Sequence, residues 1–133
     1  MSGDLGWEAA EIGRLLYTHR LDPLLAVGAL AIDADAAAAL AAGTIGGEVL
    51  PPARLPHARL LLNILVRIEV RCGHDPIAIR AALERPVDEL DGASIGDRLR
   101  GEVTIADLRA LRLAAGTLPI PKVKMWRVAD RYS

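Results

Sequence analysis

Between Leu55 and Cys72 the chain carries Leu60, Leu61, Leu62, Ile64, Leu65, Val66, Ile68 and Val70. At 100° per residue no helix can place all of these on one face. A helix that is apolar over most of its circumference has to be surrounded by other elements, so this segment is predicted to be the central helix of the fold. Its polar residues Arg59, Asn63, Arg67 and Arg71 recur at four-residue intervals and form one stripe, read as a solvated edge. The elements around it are also expected to be helical. Hydrophobic residues make up 52% of the chain but include no Phe, two Trp and two Tyr, which favours Ala- and Leu-rich helix packing over a sheet. At 133 residues there is enough chain to bury one core.

The boundaries of the surrounding helices are written in capping residues. Trp7 to Tyr17 is predicted as a first helix, with Trp7, Ile12 and Leu15 or Leu16 inward and Glu8, Glu11 and Arg14 between them. Asp22-Pro23 offers a capping carboxylate followed by proline at the first helical position, starting a second helix that runs to about Leu30. Gly28 inside it is a weak point. Asp33 caps a third helix, Ala34 to Ala42, which Gly43 ends. Gly46, Gly47, Pro51 and Pro52 form the one clear linker and divide the chain into parts 1–50 and 51–118. After the central helix, Gly73 is a stop and Asp75-Pro76 repeats the starting device of Asp22-Pro23. That helix ends near Arg85 because Pro86 has no N–H and crowds the preceding turn. Asp91-Gly92 marks a turn, Ser94 caps a short helix, and Gly101 is expected to close it in the left-handed conformation. Thr104 with Asp107 resembles a capping box ahead of a last helix, with Ile105, Leu108, Leu111 and Ala115 inward and Gly116 at its end. Pro119-Ile120-Pro121 then favours an extended tail, residues 119–133.

Charge divides along the same line. Residues 1–50 hold two basic and seven acidic side chains, net −5, and the remainder is net +4, within a total of −1. The single Cys72 has no intrachain disulfide partner, and the acidic start (Asp4, Glu8, Glu11) lacks the basic opening of a secretory signal, so a cytoplasmic protein is expected. The longest apolar run, Pro23 to Ile32, is about half of a bilayer span, and no membrane association is expected. Three scattered histidines and the lone Cys72-Gly73-His74-Asp75 cluster give too few ligands for zinc. No phosphate loop, serine elbow or paired-His motif is present. Neither catalysis, a metal nor a cofactor is expected.

Two stretches carry a family resemblance. Leu30 to Gly43, LAIDADAAAALAAG, has the spacing of the turn and second helix of phage-repressor-type (Xre-like) helix-turn-helix domains. Ala31 stands at the turn glycine and Asp33 at the cap. The positions that would present Arg, Gln or Ser to DNA are Ala34, Asp35, Ala36, Ala38 and Ala39, which offer neither hydrogen bonds to bases nor cations to phosphates. From about Leu60 to Gly116 the chain resembles the toxin-binding domain of Xre/MbcA/ParS antitoxins. Leu83, Pro86, Leu90, Gly92, Ser94 and Leu99 fall at that family's spacing, with Ala82, Asp91 and Ile95 in place of its tryptophan, first glycine and proline.

The resemblance implies an all-α fold with a helix-turn-helix-like N-terminal part and a helical partner-binding part. It also implies an antitoxin that binds a cognate protein toxin, of the NAD-degrading RES type, and occludes its active site. Homodimers are common in the family. Pro86, Leu90, Gly92, Ser94 and Leu99 are then the expected partner-binding residues. The tail adds Pro119, Lys122, Lys124, Met125, Trp126, Arg127 and Arg131, cations for an acidic rim and a large apolar anchor. The alternative is a DNA-binding regulator that uses the basic residues of the C-terminal half, with binding steeply dependent on salt.

Overall fold

The computed structural model describes residues 2–44 and 51–119. The fold is all-α, with seven α-helices and no β-strand among the described residues. They are α1 (Ser2–Thr18), α2 (Val27–Leu30), α3 (Ala34–Ala42), α4 (Leu55–Arg71), α5 (Pro76–Glu84), α6 (Ile95–Arg100) and α7 (Ile105–Gly116). Short 3-10 turns at Pro23–Ala26, Pro52–Arg54 and Asp88–Leu90 lead into or link them.

The caps act where their residue types predict. The N–H of Leu24 donates to Asp22 Oδ1 (3.0 Å), that of Ala36 to Asp33 Oδ1 (2.8 Å), and that of Ile77 to Asp75 Oδ1 (3.2 Å). Asp97 N–H donates to Ser94 Oγ at 3.0 Å. Thr104 and Asp107 exchange both bonds of a capping box, at 2.9 and 3.1 Å. Each satisfies an N–H that a helix start leaves without a partner. Gly43 ends α3 in the left-handed conformation, φ 78°. Gly101 does not: its φ of −95° is extended, and α6 passes directly into the strand-like run towards Thr104.

The central helix is α4. Its Ala58, Leu61, Ile64, Leu65 and Ile68 are buried against α7 on one side and α1 on another, while Val70, at its end, is exposed. Ile12, Leu15 and Leu16 of α1, Leu25 and Leu30 before and within α2, Leu40 of α3, Leu83 of α5, and Ile95 and Leu99 of α6 complete a continuous core. It spans both sides of the linker. Two close approaches set its shape. A Cβ on Gly13 would lie 2.5 Å from the Leu40 carbonyl oxygen, which lets α1 and α3 touch through their backbones. A Cβ on Gly28 would lie 1.9 Å from the Gly101 oxygen, so the glycine that looks like a weak point in α2 is what lets α2 lie against the end of α6.

Trp7 departs from the expected inward position. It is 59% exposed, because at 100° per residue it lies about 140° around α1 from Ile12. Glu8 takes the inward place instead, buried and bonded by Arg59 Nε at 2.7 Å.

Candidate functional site

The corner between α5 and α6 is a closed loop. Pro86 and Ser94 pair across its neck, Val87 N–H donates to Ala93 O (3.1 Å), and Gly92 N–H donates back to Val87 O (3.0 Å). Asp91 and Gly92 both take positive φ, 58° and 84°, which turns the chain in two residues. Leu90 points into the core and its carbonyl accepts from Arg98 Nη2 at 2.9 Å. Leu90, Ser94 and Leu99 are therefore buried, 8%, 3% and 0% exposed, and cannot contact a partner directly as their motif positions suggested. They hold the corner in place, and spacing in a motif marks scaffold as readily as surface. Pro86 and Gly92 are on the outside of the loop.

Arg100 fixes the corner to the N-terminal part. Its Nε donates to Asp22 Oδ2 at 2.8 Å, its Nη2 to Glu84 Oε1, and its Nη1 to Glu84 Oε2 at 3.3 Å. Those bonds, that to Glu84 first, raise its already high pKa. Asp22 thus caps the turn before α2 and receives α6 as well, and one guanidinium joins the start of α2 to the end of α5.

Beside the corner lies an apolar groove of about 330 Å³ lined by Cys72, Ala78, Ala81, Ala82, Arg85, Leu118 and Pro119. Arg71 Nε holds its C-terminal wall by donating to Leu118 O at 2.6 Å. Ala82 is here, in the position where the resembling family carries tryptophan, and its small side chain leaves the groove open. Ile77, one turn away on α5, is 67% exposed. Pro119 is exposed at the end of the groove, whereas Lys122, Lys124, Met125, Trp126, Arg127 and Arg131 lie outside the described residues.

The two helical segments Pro23–Leu30 and Ala34–Ala42 are bent by 119° across a three-residue turn. Ala31 takes the left-handed conformation there, φ 55°, at the place where a turn glycine is usual. The outward side of α3 presents Ala34, Asp35, Ala38 and Ala42, and its Asp33 carboxylate is spent on the cap. The cations of the central helix are engaged too: Arg59 with Glu8, Arg67 Nε with Asn63 Oδ1 at 2.9 Å, and Arg71 with Leu118.

The histidines do not form a catalytic set. His19 is buried and its Nε2 bonds Glu69 Oε2 at 2.6 Å, while the exposed His74 places Nδ1 3.5 Å from the same oxygen. Burial pushes the Glu69 carboxyl up. The hydrogen bond from His19 and the charges of His74, His19 and Arg14 outweigh it and hold the carboxyl below the ordinary glutamate range. Burial, then Asp75, pushes the Cys72 thiol up, away from the thiolate a nucleophile needs. Among the described residues no group of three or more His, Cys, Asp and Glu is arranged to hold a metal ion. No single helix among them is long and apolar enough to cross a membrane.

One surface was missed by the sequence reading. Trp7 and Tyr17 are the two aromatic residues among the described residues, and both are exposed, at 59% and 72%. With Ala10 and Arg14 they follow one face of α1 at intervals of three, four and three residues. That interval was visible in the sequence, but hidden by assigning Trp7 to the core.

Compared with known proteins, the chain matches no family model, and no curated protein or solved structure matches it significantly.

Proposed function

We propose that the protein is a cytoplasmic antitoxin without catalytic activity of its own, which binds a cognate protein toxin and occludes its active site. The observation that carries this reading is a sharply bent helical pair, Pro23–Leu30 and Ala34–Ala42, whose second helix presents alanine and aspartate outward. Such a face has no hydrogen-bond donors for base edges and no cations for phosphates, and its two carboxylates oppose a polyanion. The shape then serves assembly, and the ligand is protein.

On this reading the contact surface is the outer side of α5 with the corner: Ile77, Arg85, Pro86, Gly92, the alanine groove, and the tail that leaves from Pro119. A rigid corner loses little entropy on binding, and an exposed aliphatic side chain beside a groove of small residues is a suitable site for a partner's anchor. Lys122, Lys124, Arg127 and Arg131 supply charge for an acidic cleft rim, and Met125 and Trp126 supply the apolar insertion. The resemblance to Xre/MbcA/ParS antitoxins makes an NAD-degrading RES-type toxin the expected partner.

The test is co-expression with the product of the adjacent gene. The expected result is a stable complex and rescue of growth, both reduced by Trp126→Ala and by Ile77→Asp. Absence of both complex and rescue with the unaltered chain overturns the proposal.

A further inference from the structure

We infer that the alanine groove of α5 is a docking site for the chain's own tail: in the free protein the indole of Trp126 occupies it. This goes beyond the toxin reading and is tested without any partner, so the two stand or fall separately.

The first argument is the chemistry of the groove. Ala78, Ala81, Ala82 and Arg85 recur at the i, i+3, i+4, i+7 positions of one α5 face, and Leu118 and Pro119 line the same space of about 330 Å³. Small apolar side chains offer shape and no hydrogen bonds, so the ligand that fits is an apolar side chain rather than a polar molecule. Arg85 selects among apolar side chains. It is exposed and its guanidinium has no ion-pair partner among the described residues. A guanidinium is attracted to the face of an aromatic ring, most strongly to indole, and not to an aliphatic chain.

The second argument is reach. Pro119 belongs to the lining of the groove, and residues 120–133, outside the described residues, follow it directly. The seven residues from Pro119 to Trp126 span at most about 25 Å, whereas Ala78 to Arg85 covers about 10 Å of helix. Trp126 can therefore reach every point of the groove with chain left over for a turn. The point of departure is fixed, since Arg71 Nε donates to Leu118 O at 2.6 Å and Thr117 Oγ1 to Ala114 O at 2.9 Å. A side chain tethered this closely is present at an effective concentration in the millimolar range, which a segment of another molecule has to match.

The third argument is charge. The corner that follows Arg85 exposes Asp88, Glu89 and Asp91, holds no Lys or Arg from Pro86 to Asp97, and forms no ion pair through those three carboxylates among the described residues. The tail is the opposite: Lys122, Lys124, Arg127 and Arg131 stand against the single carboxylate Asp130. Lys124 and Arg127 flank Trp126 closely in sequence, so an indole in the groove carries them to the acidic corner. Such exposed pairs set direction and add little strength, which leaves the indole as the anchor. A partner that seats its own side chain in the groove has to displace Trp126 first.

The test is tryptophan fluorescence of the full chain carrying Trp7→Phe, which leaves Trp126 as its one tryptophan. The expected result is emission to the blue of that in urea and acrylamide quenching at least threefold weaker than in urea. Ala81→Arg puts a charge into the groove at an exposed helix position that arginine suits. It should bring quenching close to the urea value, while Ala38→Arg, on the outward side of α3, should leave it unchanged. Arg85→Ser should raise quenching part of the way. Far-ultraviolet circular dichroism shows that each variant keeps the native helix content. Quenching of the folded Trp7→Phe chain equal to that in urea overturns the proposal. Protection that survives Ala81→Arg also overturns it, because Trp126 is then buried elsewhere, and so does protection lost on dilution from 100 to 1 μM, because the groove then holds the tail of another molecule.

Discussion

Replacing Gly28 with alanine sets two principles against each other and has a definite sign. Gly28 is helical, so by intrinsic propensity alone the substitution should stabilise α2 by about 1 kcal/mol. The structure opposes this. The new Cβ would sit 1.9 Å from the Gly101 carbonyl oxygen, which is 1.1 Å inside the 3.0 Å that such contacts essentially never cross. The obstacle is backbone on both sides, with the Gly101 carbon at 3.0 Å and the Leu99 oxygen at 3.1 Å. No side chain can swing away, so α2 and the end of α6 must separate by about 1 Å. That separation opens the packing around Leu25, Leu30 and Leu99 and stretches the Arg100–Asp22 bond. Overpacking of a well-filled site costs about 1–3 kcal/mol, and more where backbone must move. With a steric cost of about 3 kcal/mol and the propensity gain of about 1 deducted, Gly28→Ala should destabilise the fold by about 2 kcal/mol. Urea unfolding followed by circular dichroism reads this directly. With a slope of about 2 kcal/mol per molar, the midpoint should fall by about 1 M at unchanged slope. A midpoint that stays or rises would refute the close approach of α2 and α6, and with it the packing of the N-terminal part against the corner.

The same unfolding assay checks three further positions. Ala31→Gly removes a left-handed strain of about 1–2 kcal/mol against a glycine entropy cost of about 0.5–1 kcal/mol, so it should raise stability by about 0.5–1 kcal/mol; a loss would mean that Ala31 is not left-handed. Ser94→Ala should cost about 1 kcal/mol through the lost cap and Leu99→Ala about 2–5 kcal/mol through the cavity it leaves; stability losses below those ranges would return these residues to a surface role. Glu69 has its carboxyl held below the ordinary range in the folded chain, so its contribution is full above the unfolded glutamate pKa and is lost as pH falls through the folded value. Stability measured from pH 6 to pH 3 should therefore drop less steeply for Glu69→Gln than for the unaltered chain, and equal slopes would refute the His19–Glu69 coupling.

Local signals were legible and long-range ones were not. The caps at Asp22, Asp33, Asp75, Ser94 and Thr104 act on N–H groups two or three residues away, so residue type and position suffice to read them. The apolar circumference of α4 likewise announced a surrounded helix. Gly28, by contrast, looks like a defect until Gly101, 73 positions on, is seen beside it. Arg100 with Asp22 and Arg59 with Glu8 join residues 78 and 51 positions apart, and nothing in either neighbourhood selects the partner. The polar stripe of α4 is the solvated edge its spacing suggests, with Arg59, Asn63 and Arg67 exposed, but the spacing did not show that Arg59 also bonds Glu8 of α1 and Arg71 the chain after α7. The motif positions Leu90, Ser94 and Leu99 were legible as a pattern but not in their role, because spacing alone does not distinguish a buried anchor from an exposed contact. Of the surface, Pro86, Gly92 and Pro119 stand where a partner can reach them.

The position of the aromatic residues on the surface of α1 has a consequence for stability that can be measured. Burying a Leu or Ile contributes about 1.5–3 kcal/mol, and the core of this chain is built from such residues on all seven helices, whereas Trp7 and Tyr17 stand largely outside it, 59% and 72% exposed. Truncating a side chain that stands mostly in solvent changes stability by about 0.5 kcal/mol or less. Trp7→Ala and Tyr17→Ala should therefore unfold at nearly the same midpoint as the unaltered chain. Variants clearly destabilised relative to the unaltered chain would mean that the α1 stripe packs within its own chain.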